Sequence, residues 1–562
     1  MPSPSLQVSN RGLWFTLSQL GAKCRSSRRR QFSTVSTFVE VVEDRRVLSA
    51  FTVVNLSDGG QGSLRDAITS ANANPGADVI DFQRGLRGTI TLTSGEMEIT
   101  GDLTIQGTGA QRLTISGNNA SRIFKMGGAE TDVTIDDLTI ANGRNTLKDH
   151  AGIILTRGGG ILNNGGVLRL SRVTMRHNQT IDSGEDTPSS EVVGGGAIVN
   201  SGHAALTATR CLFIGNVASG GRNYAFGGAI ANVTNSTADI QGCIFVSNEA
   251  KGGTTSYGGA IGNFGSSQLT VSGCTFRNNV ARGLTNLTGS VKKAFGGAIA
   301  TRPGTIVNSG SITTIADSLF IGNQALGGDT GDAQTGGDSG GGALYSIASH
   351  LTVDQSLFIC NQAIGGQGGV AGGKASGGAI QATALSSTDL PVTTINTSIF
   401  SKNRVIGGAA GDHWGQAAGG ALNNSFGQMN VSQCRILNNT AQTRNGANAF
   451  GGGFFNGESF NNVPATLNLN NCSVVGNHAQ GRSDGNGLGG GIYNGNTIEG
   501  IVPVATMRGS RIVANSATGG TTGQGIGGGI YTLGTFNVSG SSPQGNRAST
   551  SNKNLFGILT PI

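Results

Sequence analysis

Proline is scarce in this 562-residue chain, with ten residues, and so are large and charged side chains: aromatics make up 5% and Asp, Glu, Lys and Arg together 12%. Each shortage removes a class of protein. Few prolines, and no glycine at every third position, exclude a collagen triple helix. Low charge excludes the strongly charged disordered chain. A hydrophobic content of 36% is too low for several compact domains with separate cores. No apolar run reaches the roughly eighteen residues of a membrane-spanning helix. The seven cysteines include no pair at zinc-site spacing. What is abundant is glycine, at 96 residues. The remaining class is a fold with glycine at its turns and small residues in a narrow core, repeated many times.

The net charge of +7 suggests nucleic-acid binding until it is located. The first fifty residues hold eight basic side chains, including the run Arg28-Arg29-Arg30, against Glu40, Glu43 and Asp44. The rest is balanced, 30 basic to 28 acidic, without a basic stripe interleaved with aromatics, so no nucleic-acid partner is expected.

Two short words alternate along the chain. The first is Gly-Gly followed by two small or apolar residues, read with its first glycine at 159, 195, 227, 258, 296, 341, 377, 419, 452, 490 and 528. The second is an apolar residue, two free positions and Asn, as in Phe213/Asn216, Phe276/Asn279 and Ile512/Asn515; Phe fills its first position six times. Between the words apolar and polar residues alternate in twos, as in Leu269-Thr-Val271, which is the period of short strands rather than helices. Short strands at a variable repeat predict an all-β, right-handed, single-stranded parallel β-helix, one coil per repeat. An Asn at one corner of successive coils predicts a side-chain ladder through Asn216, Asn248, Asn279, Asn323, Asn361, Asn403, Asn439, Asn477 and Asn515.

Cys211, Cys243, Cys274, Cys434 and Cys472 each lie two residues before the apolar residue of the second word, where other repeats carry Ser. Positions two apart share a strand face. Coil spacing of about 4.8 Å with parallel Cα–Cβ vectors is too wide for disulfides, which predicts buried free thiols. Upstream, Ser63 to Ala71 reads as a short helix with Ser63 as N-cap and Leu64, Ala67, Ile68 and Ala71 on one face. It is expected to cover the open backbone edge of the first coil.

The paired words Gly-Gly-Ala-Ile/Leu and Phe-x-x-Asn resemble the repeat of the chlamydial polymorphic outer-membrane protein family, which implies a β-helical passenger region and a part in adhesion. That family also carries a C-terminal β-barrel, and no set of alternating ten-residue segments follows Asn546 here. Val42-Glu43-Asp44-Arg45-Arg46-Val47-Leu48-Ser49-Ala50 resembles the export leader of planctomycete proteins, and Gly62-Ser63-Leu64-Arg65-Asp66-Ala67 resembles the CSLREA-type N-terminal segment of secreted β-helices, with Gly62 in place of Cys. The expected organisation is a leader over 1–50, a cap over 51–82, irregular first coils over 83–157, about eleven regular coils over 158–546 and a tail over 547–562.

β-Helices of the pectin-lyase-like fold also host polysaccharide lyases and glycosidases, which need two carboxylates close together. Asp317 and Asp354, near one corner of neighbouring coils but offset by one position, are the catalytic candidates. The histidines are scattered. Asp329, Asp332 and Asp338, in a Gly/Asp-rich stretch, are weak calcium candidates, and no other cofactor is expected. Between the Asn of one repeat and the Gly-Gly of the next the length varies, so a loop leaves each coil at one corner, and such loops stack into a face. Variable loops on a rigid scaffold suit recognition, and the Asp412-His413-Trp414 group is the candidate anchor. The expectation is a monomeric protein, secreted or at the cell surface, that adheres to a polysaccharide, a cell surface or a protein. A polysaccharide-degrading enzyme and an inert structural spacer are the alternatives.

Overall fold

A strand that alternates apolar and polar residues needs a hydrogen-bonding partner on each edge, and here each repeat supplies the partner of the one before. The computed structural model describes residues 49–129, 131–147, 158–182, 192–285, 292–304, 310–331, 334–385, 391–410, 415–457, 459–460, 463–495 and 502–562. Among them five long parallel sheets form. In chain order around a coil these are sheet V (fourteen strands, Met97–Ile99 to Leu555–Phe556), sheet I (sixteen, Ser49–Val53 to Thr560–Pro561), sheet II (fourteen, Gly88–Thr91 to Pro543–Gln544), sheet III (twelve, Arg144–Leu147 to Arg547–Ala548) and sheet IV (ten, Val192–Gly194 to Gly525–Ile526). One coil, for example, runs through Ile230–Asn232, Thr237–Gln241, Ile244–Val246, Glu249–Gly252 and Thr255–Tyr257. The protein is a parallel β-helix.

The helix spans Leu64–Ala73, with the Ser63 hydroxyl accepting the Asp66 N–H at 3.2 Å and Leu64, Ala67, Ile68 and Ala71 buried. It packs on the first strands of sheets I and V. Their open edge is thereby covered.

Each coil has two lobes. Sheets V, I and II enclose one continuous apolar core running from Val53 to Phe536. Its spine is Phe213, Phe245, Phe276, Phe320, Phe358 and Phe400, whose rings stack at centroid distances of 4.5 to 4.8 Å. Sheets III and IV leave this core and pack on each other through small residues, including Ala363 and Val405 of III against Ala375 and Ala417 of IV. They form a thin fin. Among the described residues sheet III starts at Arg144 and sheet IV at Val192, and the coils before Arg144 are three-sided.

The two words meet where the fin joins the prism. The first glycine of Gly-Gly takes φ near +60°, as at Gly227 (58°), and the second has no room for a side chain. A Cβ on Gly228 would lie 2.2 Å from the Gly259 carbonyl oxygen in the next coil and 2.5 Å from the Glu249 backbone across the neck. Opposite it the Asn ladder is unbroken from Asn178 to Asn546, each Nδ2 donating to the next Oδ1 at 2.9 to 3.1 Å. The same amide also donates to the carbonyl of the core residue one coil back, as Asn248 to Phe213 at 3.0 Å.

Two details differ from the sequence reading. At four of the six places where three glycines adjoin, the word starts one residue earlier: Ile161 pairs with Ile198, which aligns Gly158 with Gly195, and likewise Gly451, Gly489 and Gly527 take the positive-φ place, whereas Gly195 and Gly341 stand where the sequence puts them. The Cys/Ser column also does more than fill space. Cys211 N–H points at Cys243 Sγ (3.3 Å), Cys274 N–H at Ser318 Oγ (3.2 Å) and Ser398 N–H at Cys434 Sγ (3.4 Å), so each side chain accepts a corner amide of the preceding coil. That shared role explains why Cys and Ser interchange. The five thiols are buried and free. The adjoining Cys211 thiol and burial push the Cys243 thiol up to about 12, which keeps it protonated and inert.

Candidate functional site

The corners differ in what they allow. From residue 171 onward, sheets I and II, and II and III, are joined by two-residue turns, apart from the three residues 540–542 in the last coil, whereas the connection from III to IV varies in length at the fin's outer edge. A second family of long connections, 303–311, 384–391, 458–465 and 495–503, joins sheet V to sheet I and adds to the single loop corner expected from the sequence.

At the fin edge the connections in three successive coils are glycine-rich, and they are not loose. Gly328 N–H donates to the Lys292 carbonyl, Gly337 to Gly328, Gly366 to Gly337, Gly373 to Gly366 and Gly408 to Gly373, all at 2.9 Å, and Gly415 to Gly408 at 3.1 Å. The chain of bonds zigzags between the two layers of the fin from coil to coil. Glycine is required because the backbones touch: a Cβ on Gly337 would sit 1.8 Å from the Lys292 carbonyl oxygen, and one on Gly373 2.0 Å from that of Gly337. Nearer the tips, Thr330 N–H reaches the Gln367 carbonyl (2.8 Å) and Gly368 N–H that of Ala409 (3.0 Å). Successive tips therefore stand at a fixed one-coil spacing.

Asp412, His413 and Trp414, the anchor group read from the sequence, lie outside the described residues, as does Asp332. Asp329 and Asp338 fasten coils: Asp329 Oδ1 accepts the Gln367 N–H (2.7 Å), and Asp338 accepts the Lys374 N–H (3.0 Å) and pairs with Lys293 Nζ (3.0 Å). Among the described residues no three His, Cys, Asp or Glu side chains gather around a point that could hold a metal. Asp354 is paired with Ala316, which leaves Asp317 one place further on, exposed at a corner with φ 49° and its N–H on the Asp354 carbonyl. The two carboxylates are thus out of register on adjacent coils.

Two features escaped the sequence reading. A second amide ladder closes the V–I corner through Asn163, Asn200, Asn232 and Asn263, and again through Asn424, Asn456 and Asn494, at 2.8 to 2.9 Å. Its signal, Asn two places after the Ile, Leu or Phe that follows Gly-Gly, is present in the sequence. The outer faces of sheets IV and V also meet in a cleft beside the neck, filled by aromatic groups such as Phe226, Tyr257 and Tyr345, and later Phe450, Phe455 and Tyr493.

No family model matches the chain, and no curated protein matches it. Among solved structures it is similar to ORF18 of Geobacillus virus E2, at 12% identity over 65% of this chain and 57% of that one, with a TM-score of 0.20. It is also similar to the PL6 family alginate lyase AlyGC, at 10% identity over 91% of this chain and 100% of that one, with a TM-score of 0.17. The chain thus spans 57% of the length of the viral protein. Likenesses this distant carry no argument, and the fold rests on the strand pairing itself.

Proposed function

We propose that this chain is an exported, non-catalytic surface or matrix protein that binds an extracellular polysaccharide or cell-surface partner through the outer edge of the fin. The observation that supports this reading is the glycine zigzag. It holds the bases of three connections of differing sequence, at 328–331, 366–373 and 408–410, on a fixed frame. Rigid presentation lowers the ordering cost of binding, and a one-coil repeat suits a partner that is itself extended. The misregister of Asp317 and Asp354 weighs against a hydrolytic pair at that corner.

The test replaces 285–291, 330–335 and 409–414 by short Gly-Ser segments, leaving the glycine arms and the flanking strands Lys293–Phe295, Ser339–Gly340 and Ala417–Ala418 untouched. The expected result is an unchanged β-sheet circular dichroism spectrum with at least tenfold weaker binding to whole cells and to arrayed polysaccharides. Undiminished binding by the loop-replaced protein, or a parent that binds nothing, overturns the reading and leaves the inert spacer.

A further inference from the structure

Sheets I and II belong to the same coils, share the same core and differ on their outer faces. The central outward row of sheet I is polar, with Thr270, Thr314, Thr352, Thr394, Asn430 and Asn468 in successive coils. On sheet II both residues flanking the buried Phe are aliphatic in four of its six coils: Leu212 and Ile214, Ile244 and Val246, Leu319 and Ile321, Leu357 and Ile359. Ile244 is 44% exposed and the others are half-buried. Strand propensity alone does not explain the contrast, because Thr satisfies it as well as Ile and occupies these very places at Thr174 and Thr275.

Within the aliphatic rows stand Arg176, Arg277, Arg435 and Arg511, all exposed and none making an ion pair or side-chain hydrogen bond among the described residues. No Asp or Glu occurs in any strand of sheet II. The adjoining corners hold Arg172, Arg210 and Lys402 against Asp137 and Asp317, with Arg172 paired to Asp137 and to Asp136 at the end of a sheet I strand. Since both corners are turns of two residues, or three at 540–542, in every coil from residue 171 onward, nothing rises beside this face. It is flat, apolar and cationic.

We infer that the outer face of sheet II docks the protein on an anionic lipid surface. Arginine stems lie along the aliphatic rows while their guanidinium groups reach phosphate oxygens at the headgroup level, and the Leu and Ile side chains enter the acyl boundary. A second copy of the chain fits less well. Ten coils at about 4.8 Å, about 10 Å across, give about 500 Å², below the roughly 800 Å² per partner of a stable protein interface, and a two-fold contact would set arginine rows against each other. A glycan fits less well too, because the face offers no ring to stack on a sugar.

Co-sedimentation of the full chain with vesicles tests this, comparing phosphatidylcholine alone with phosphatidylcholine containing one-third phosphatidylglycerol. The parent is expected to bind the anionic vesicles at least tenfold better. The triple variant Arg277→Ser, Arg435→Ser, Arg511→Ser and the quadruple variant Leu319→Thr, Ile321→Thr, Leu357→Thr, Ile359→Thr are each expected to lose at least tenfold while keeping the parent's circular dichroism. The loop-replaced protein described above should bind vesicles as the parent does, which separates this inference from the fin-edge reading. A parent that ignores anionic vesicles, or folded face variants that bind them equally well, overturns it. So does a parent that dimerises in solution and becomes monomeric in the quadruple variant.

Discussion

Replacing Gly297 by Val is expected to abolish cooperative folding of the central coils, whereas Gly331→Val is expected to leave them intact. Gly297 is the second glycine of its word. A Cβ there would lie 2.1 Å from the Gly342 carbonyl oxygen of the next coil and 2.5 Å from the Gln324 backbone nitrogen across the neck. Both obstacles are main chain, and neither can swing aside as a side chain would. Relief requires the neck to open by close to an ångström in two directions, which breaks the adjacent bonds of Ala298 N–H to Ala343 and Gln324 N–H to Asn279. Overpacking in an adaptable core costs about 1–3 kcal/mol, and a site walled by backbone exceeds that range. In a stacked array the damage divides the coils into two shorter blocks. Limited proteolysis should show new cleavage between about residues 296 and 340, where the parent resists. Gly331 has nothing within 4 Å of its Cβ position and serves as the control.

Removing one rung of the Asn ladder is the second large effect. Asn279 accepts from Asn248 N–H at 3.0 Å and from Asn248 Nδ2 at 2.9 Å, and it donates to the Phe245 carbonyl at 3.0 Å and to Asn323 Oδ1 at 2.9 Å. Asn279→Leu fills the volume but strands the Asn248 amide and the Phe245 carbonyl in a buried corner. At about 1–3 kcal/mol for each stranded group, the expected loss is about 2–6 kcal/mol, read as a lower denaturant midpoint. Asn279→Asp is the sharper probe. It keeps the shape and the acceptor, loses the donor, and at neutral pH sets a charge against two carbonyl-type oxygens. Burial and those oxygens raise the new carboxyl's folded pKa above its unfolded value, so the variant should be closest to the parent in acid, below the unfolded pKa. It should lose stability as pH rises through the folded value. A variant indifferent to pH would mean that the corner admits water and that the ladder contributes little.

Much of this architecture is legible in the sequence, for a physical reason. The core column needs an apolar residue, Phe in six coils, and the Asn column an amide at one place in every coil, so they recur as words. The helix over Leu64–Ala73 declares itself by its N-cap and one apolar face. The fin does not declare itself, because its interior is Ala and Gly, as at Ala363, Ala375 and Gly487, and gives no apolar contrast with its surroundings. The word frame slipped by one at Gly158, Gly451, Gly489 and Gly527 because three adjacent glycines hide which of them takes the positive φ. The apolar outer face of sheet II is written in Leu-Phe-Ile triplets. A continuous apolar run offers no polar contrast by which to tell its faces, and the register buries the Phe and turns the flanking two outward. The loop tips are the least legible part, since no repeat constrains them.

The fin edge is a fixed frame rather than a set of flexible glycine linkers, and native-state amide hydrogen exchange resolved by peptide tests this directly. Glycine-rich segments ordinarily behave as flexible coil and exchange fast. Here the amides of Gly328, Gly337, Gly366, Gly373, Gly408 and Gly415 are each bonded to a carbonyl in the zigzag. Peptides covering 327–329, 336–338, 365–367, 372–374 and 407–408 are therefore predicted to exchange as slowly as the sheet III strands beside them, Gln324–Leu326, Gln362–Ile364 and Arg404–Ile406. Exchange of those glycine arms at the rate of an unstructured chain, with the strands still protected, would contradict the frame and with it the proposed binding edge.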